Sequence, residues 1–494
     1  MSRSRAGRGR AGAVAFVLAA TVTAVSSCSR PAPSPVPPAP TPTPAIAQVG
    51  TMRPIAPNYL GVNLDAAATV SWTAPTLLVG LRRLAPGTVR FPGGGVANYW
   101  DWRTGWLDPQ GVAQFPTLVA RHASVTLADL SGVVRAGGSA PVFALNVMTS
   151  GLADQVAMLR AAQADGLAVR YLELGNAVYG SAPEVVAAFP SAGAYVTAMT
   201  RWITVLHQDF PSARIAVVGA WNPPAGSATG TSRQTDARRR GWNETVTHGL
   251  RAADALTLQV QVEVAPELAG GLSVATLPAL FAQPYQTWLS VREQIDVLPA
   301  DTHVWVTQFG VSGQPSASRP GAAVADPLAG TWAHGLYVAE MVMLFLADPR
   351  IDLVEYTALA GGASAALVAG TGAPTVAGRV LELVGAAMRG ATSAATLDVT
   401  RIPTLSGGRP ALLGWLFHDP TTTRAVLLNL APTAQVLRSP APLAATSPVT
   451  TVTGDPVARG GAHRPAVHTS RLGPTLTLPP YSLTLVGVPA ASSG

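Results

Sequence analysis

Three short segments hold the residues whose types and spacing could do chemistry. "VRFPGGGVANYWDW" (89–102) sets the hydrogen-bonding side chains of Arg90, Asn98 and Asp101 among the flat apolar faces of Trp100 and Trp102. "ELGNAVYG" (173–180) adds Asn176 and Tyr179, and "VWVTQFGVSG" (304–313) adds Gln308. Aromatic faces beside a rim of donors and acceptors suit a ligand with apolar faces and many hydroxyls, as a sugar has. Trp221, Asn222 and Trp332 complete the candidate binding set. The run Gly93–Gly94–Gly95 lets backbone approach a ligand closely. It is no phosphate loop, because the GxxxxGK[ST] pattern is absent.

Other chemistries find little support. The eight histidines (122, 207, 248, 303, 334, 418, 463 and 468) show no HxH, HExxH or clustered ligand spacing, so neither a metal site nor a cofactor is expected. His334, in "GTWAHGLYVAEM", reads as a packed histidine at a helix start. No GxSxG nucleophile elbow occurs. The net charge of +7 invites a nucleic-acid partner, but Arg3, Arg5, Arg8 and Arg10 supply part of it and lie in a segment expected to be removed. Arg238–Arg239–Arg240 is the one tight basic cluster that remains, and a solvated helix face explains it better than a phosphate track. All 33 basic residues are arginine, which reflects coding bias more than function.

A scaffold must hold those segments together. From about residue 57 short apolar runs alternate with longer amphipathic stretches, the pattern of a parallel α/β fold. Eight strands are predicted, at 59–64, 88–93, 141–147, 170–176, 214–220, 255–262, 303–309 and 353–359. Eight strand–helix units imply a (β/α)8 barrel over 57–390, although periodicity alone also permits a doubly wound sheet. In a barrel the three segments all begin at strand C-terminal ends, on one face. Beyond 391 short alternating runs bounded by turn residues predict a C-terminal β-sandwich over 391–494. Residues 46–56 have strand character and are expected to join it.

The N-terminus reads as an export signal: four arginines precede "AGAVAFVLAATVTAV" (11–25), an apolar run short for a membrane span. "VSSC" follows, ending at Cys28, the one cysteine, which therefore forms no internal disulfide. The arrangement resembles a bacterial lipobox. It implies a signal peptide over 1–27, a lipidated Cys28, a Pro-rich tether over 28–45 and attachment to the outer face of a cell membrane.

The three strand-end segments, in this order, resemble those of retaining glycoside hydrolases of the (β/α)8 clan, in particular α-L-arabinofuranosidase-like and heparanase/β-glucuronidase-like members. Those relatives carry R-[YF]-P-G-G after strand 2, E-L-G-N-E at strand 4 and T-E-[FY]-G at strand 7. A terminal strand like "LPPYSLTLVGV" (478–488) also matches. The resemblance spans nearly all of 46–490. It implies that the strand-4 glutamate is the general acid/base and the strand-7 glutamate the nucleophile. Aligned motif to motif, those positions hold Ala177 and Gln308 here. Alanine transfers no proton, and a neutral amide is not a carboxylate nucleophile. A retaining pair also needs two carboxyls about 5–5.5 Å apart. Where relatives place a histidine at strand 6, this chain has Gln259 and Gln261.

Among other carboxylates, Glu173 falls about 13 Å deeper than Ala177 at roughly 3.3 Å per residue, a structural position. Asp101 suits a hydroxyl acceptor, Glu355 could be structural or face the mouth, and Glu263 is the fallback acid. The expectation is therefore a glycosidase-like protein, catalytically inactive, that binds a cell-surface or cell-wall polysaccharide or glycoconjugate in its cleft and does not bind nucleic acid. Two rival expectations are an active hydrolase using a non-standard carboxylate and a surface scaffold docking a protein partner.

Overall fold

The computed structural model describes residues 44–68, 70–115, 124–222, 238–264, 272–312, 328–400, 402–441, 443–459 and 465–488. The signal peptide, Cys28 and most of the Pro-rich tether lie outside the described residues. Eight parallel strands close a barrel: Leu60–Asn63, Thr88–Phe91, Ala140–Ala144, Tyr171–Glu173, Arg214–Val218, Ala255–Glu263, His303–Ser312 and Ile351–Thr357. Each predicted strand is present, and closure excludes the doubly wound alternative. The fourth strand is shorter than predicted, because the chain turns at Gly175 (φ 101°). A side chain there would strike Val147 Cγ2 at 2.7 Å.

Strand side chains alternate between interior and helix layer, and the interior is stacked in levels. Val142, Tyr171, Ala216, Ala255, Trp305 and Leu353 form an apolar floor of their own. Two residues further along the same strands the interior becomes polar: Glu173, Thr257 and Glu355 are fully buried. Above them come Asn63, Arg90 and Gln259. The seventh strand interrupts the alternation. Leu258 pairs with Val306 but Gln259 pairs with Gln308, so Thr307 is an extra residue, a β-bulge.

The helices face the barrel with apolar stripes and carry local stop signals. Leu127–Gly137 begins with a Thr126/Asp129 capping box and ends at Gly138 in the left-handed conformation. Helix Trp332–Phe345 differs, since all fourteen of its residues are buried. It lies between the barrel and the C-terminal sheet, whose main strands are Ser393–Val399, Leu412–His418, Thr423–Asn429, Ser482–Val486, Pro448–Thr453 and Ala466–Arg471. The N-terminal segments Ala47–Val49 and Arg53–Pro54 pair with Ser393–Val399.

Alternation splits the faces of this sheet. Leu416, Ala425 and Leu427 pack in a separate core with Leu437, Leu476 and Leu478 of a second, two-stranded layer. Trp415, Phe417, Val426 and Leu428 join the barrel's core. Trp415 Nε1 donates to Met343 O at 3.0 Å and Trp332 Nε1 to Tyr481 O at 2.6 Å. The architecture is a (β/α)8 barrel with a C-terminal β-sandwich. Among the described residues no helix is long and apolar enough to cross a membrane.

Candidate functional site

The C-terminal ends of strands 2, 4, 6 and 7 converge on one polar network. Arg90, fully buried on strand 2, donates from Nε to Glu173 Oε2 at 2.6 Å and from Nη2 to Asn176 Oδ1 at 2.9 Å. Thr307 Oγ1, the bulge residue, donates to the other oxygen, Glu173 Oε1, at 3.0 Å. Glu173 is thus a structural counter-charge inside the barrel, held from both sides. Asn176 is held through its side-chain oxygen, its backbone nitrogen and its backbone carbonyl. Its side-chain oxygen also accepts from Gln259 Nε2 at 2.5 Å, its amide nitrogen donates to Asn98 Oδ1 at 3.0 Å, and its carbonyl accepts from Asn98 Nδ2 at 2.8 Å. Asn98 lies on the turn that follows the glycine run. Gly93 permits that turn: its φ is 80°, and a Cβ would fall 2.2 Å from Leu64 O.

Ala177, next in sequence, is only partly buried and has φ 48°, a conformation L-residues avoid. Gln308 is also partly exposed, and its Nε2 lies 3.9 Å from where a Cβ on Gly94 would be. These two residues therefore stand at the rim, above the locked network. Asn146, at the end of strand 3, ties the neighbouring loops: its Oδ1 accepts from Thr149 N at 3.0 Å and its Nδ2 donates to Thr149 Oγ1 at 2.8 Å. Thr149 Oγ1 in turn donates to Asp108.

The remaining predicted binding residues divide. Trp102 is partly exposed on the strand-2 loop; its Nε1 donates to Asp154 Oδ1 at 3.3 Å and the Arg103 guanidinium lies 4.5 Å from its ring centroid. Asp101 accepts locally from Arg103 N at 3.0 Å. Tyr179 and Trp221 are buried at the rim beside Arg239. Asn222 serves structure with its backbone, which Gln294 and Ser290 hold. Glu263 closes the sixth strand, and its side chain lies outside the described residues.

Three expectations need correction. Trp100 offers no free face, being 4% exposed with its ring edge-on to Phe91 at 4.6 Å. Trp332 is away from the mouth, at the start of the helix under the sandwich, because Thr331 caps that helix and Tyr481 O binds the indole. The basic cluster is not simply a solvated face. Arg238 donates to four carbonyls, those of Val178, Tyr179, Phe189 and Pro190, and so pins the loop after strand 4. His334 is a fully buried helix-start residue 3.3 Å from the Tyr356 hydroxyl.

The sequence reading missed Asn63, whose amide is buried at the end of strand 1 with neither atom hydrogen-bonded, and Thr307. Asn63 stands in a strand that gives no residue to the apolar floor, and the bulge hides Thr307. Glu355 sits lower in the barrel, and neither of its oxygens has a hydrogen-bond partner. Burial holds its pKa well above the usual carboxylate range, an effect that the charge of Arg90 offsets only in part. Among the described residues no group of three or more His, Cys, Asp or Glu could hold a metal ion.

Fold and site together define the class: a (β/α)8 barrel with an appended sandwich and a polar mouth at the strand C-terminal ends. Solved structures of α-L-arabinofuranosidases share that architecture. A family 51 α-L-arabinofuranosidase from Bifidobacterium longum superposes with a TM-score of 0.67 at 17% identity, over 90% of this chain and 99% of that one. The Thermotoga maritima α-L-arabinofuranosidase, solved as an arabinose complex, gives 0.65 at 14% identity with the same coverage. A family 44 xyloglucanase from Paenibacillus polymyxa gives 0.58 at 9% identity, again over 90% and 99%. No protein-family model matches the sequence, and no curated protein matches it.

Proposed function

We propose that this protein binds a glycan in the barrel mouth and does not hydrolyse it. One observation carries the reading: the rim positions on the strand-4 and strand-7 ends are Ala177 and Gln308, above a network that joins Arg90, Glu173, Asn176 and Gln259. Retaining hydrolysis needs an acid to protonate the leaving oxygen and a carboxylate to form the glycosyl ester. A methyl group and a neutral amide do neither. What they leave is a donor-and-acceptor surface without the mutual repulsion of two carboxylates. The solved arabinofuranosidases support a sugar-shaped mouth through their fold. Export and lipid attachment at Cys28 belong to the same reading, with the Pro-rich segment as tether.

Calorimetric titration with arabinan, galactan and other cell-wall polysaccharides, beside a reducing-sugar assay, tests it. Binding without release of reducing ends is expected. Turnover abolished by Glu263→Gln would establish a hydrolase with a non-standard carboxylate, and absence of any glycan binding would favour a protein-docking scaffold. The motif alignment has its own check. In a crystal structure of the Ala177→Glu/Gln308→Glu protein the two carboxyls should lie about 5–5.5 Å apart, and a separation beyond about 8 Å would refute the alignment.

A further inference from the structure

The rim carries a cation without a counter-charge. Arg239 lies between the loops after strands 4 and 5, its guanidinium 5.3 Å from the Tyr179 ring centroid. Its one hydrogen bond among the described residues is a long one, from Nη1 to Trp221 O at 3.4 Å, and its Nε is buried without a partner there. Among the described residues no carboxylate lies within ion-pair distance of it. Six carboxylates described around that face are engaged elsewhere. Glu173 is held by Arg90 and Thr307, and Asp154 by Arg103, Trp102 and Ser150. Asp108 is held by Gly111 N and Thr149, and Glu184 by Gln114 Nε2 at 2.7 Å. Asp65 and Asp101 accept from the local backbone nitrogens of Ala67 and Arg103.

Ala177 and Gln308 add no negative charge to the rim, Arg90 is paired with Glu173 and Arg238 is spent on carbonyls, which leaves Arg239 as the cation open to a ligand. A guanidinium lying over an aromatic ring keeps in-plane N–H groups for a planar oxyanion, the geometry that Arg offers and Lys does not. We infer that the ligand is an acidic glycan, and that Arg239 receives its anionic substituent: a carboxylate, or a sulfate or phosphate ester. This rests on the glycan-binding reading and names the class of sugar.

The test is titration of the full chain with oligogalacturonides and glucuronate oligosaccharides, each against its neutral methyl ester, with sulfated and phosphorylated oligosaccharides as separate arms. The wild type should bind at least one acid about tenfold or more tightly than the matched neutral sugar. That ratio should fall within about twofold in Arg239→Gln, and should shrink with added salt, as a partly exposed charge contact does. Arg239→Lys keeps the charge but loses the fork, and is expected to fall between. Equal binding of acid and ester by the wild type, or an unchanged ratio in Arg239→Gln, overturns this inference and leaves glycan binding intact. Absence of any glycan binding overturns both. The wild-type ratio decides the matter even if a variant fails to fold.

Discussion

Replacing Glu173 by Gln keeps the shape of the side chain and removes one charge from the middle of the barrel. Arg90 and Glu173 are both fully buried, so the pair is screened by no solvent. In the variant one of two donors, Arg90 Nε or Thr307 Oγ1, must face an NH2 group instead of an oxygen. The guanidinium also loses its counter-charge. Deleting one member of a buried pair costs about 3–5 kcal/mol, a large share of a typical folding free energy. The nearest candidate to replace that charge is Glu355, whose pKa burial raises and which feels both Arg90 and Glu173. Without Glu173 its ionised form loses a repulsion and gains an unshared attraction, so its pKa falls. The loss should therefore be larger at pH 5, which favours the neutral acid, than at pH 8, which favours the carboxylate. Urea denaturation followed by tryptophan fluorescence at both pH values measures this, and Glu173→Gln/Glu355→Gln should lose the pH dependence. A loss below about 1 kcal/mol, or one equal at both pH values in the single variant, would refute the account of the barrel interior.

Three further outcomes follow from the same structure. Ala177→Gly should stabilise the fold by about 0.5–1 kcal/mol, because relief of a left-handed alanine outweighs the added chain entropy; chemical denaturation reads it. Arg238→Ala removes donors from four carbonyls, should cost about 2–3 kcal/mol, and should expose the 178–190 loop to limited proteolysis. Glu340 is buried with both oxygens unpaired, and burial raises its pKa well above the ordinary value of 4.5. The folded state then binds the proton more tightly than the unfolded chain. Stability from this group is complete below the unfolded pKa and declines as pH rises toward the folded one, so Glu340→Gln should flatten the fall in melting temperature between acid and neutral pH.

Much of the fold was written in local pattern. Eight apolar runs of strand length fixed the barrel, and their C-terminal ends fixed which face carries Arg90, Asn98, Asn176 and Gln308. What local pattern could not carry was the direction of a side chain decided by distant contacts. Trp100, Trp102 and Trp332 look alike in sequence, yet one lies against Phe91, one is half-open beside Arg103, and one is bound by a carbonyl some 150 residues away. Arg238 looked solvated because its acceptors are backbone carbonyls, which every residue possesses. The bulge at Thr307 shifts register by one, and no composition rule announces it. Glu173 is structural as expected, but the depth reckoned from rise per residue does not apply, because the strand ends there, the chain turns at Gly175, and Glu173 and Asn176 both reach the Arg90 guanidinium.

The helix Trp332–Phe345 has a consequence for anyone who would cut this protein in two. Its buried surface is shared: one side rests on barrel neighbours and the other on the sandwich sheet, with Trp332 and Trp415 bonded across the seam. A barrel released from its sandwich would carry a wide greasy scar and a lone unpaired carboxyl at Glu340, and a released sandwich would bare Trp415, Phe417 and Leu428. The boundary near residue 391 divides architectures but not folding units. The outer layer of the barrel therefore depends on the C-terminal sheet for part of its burial.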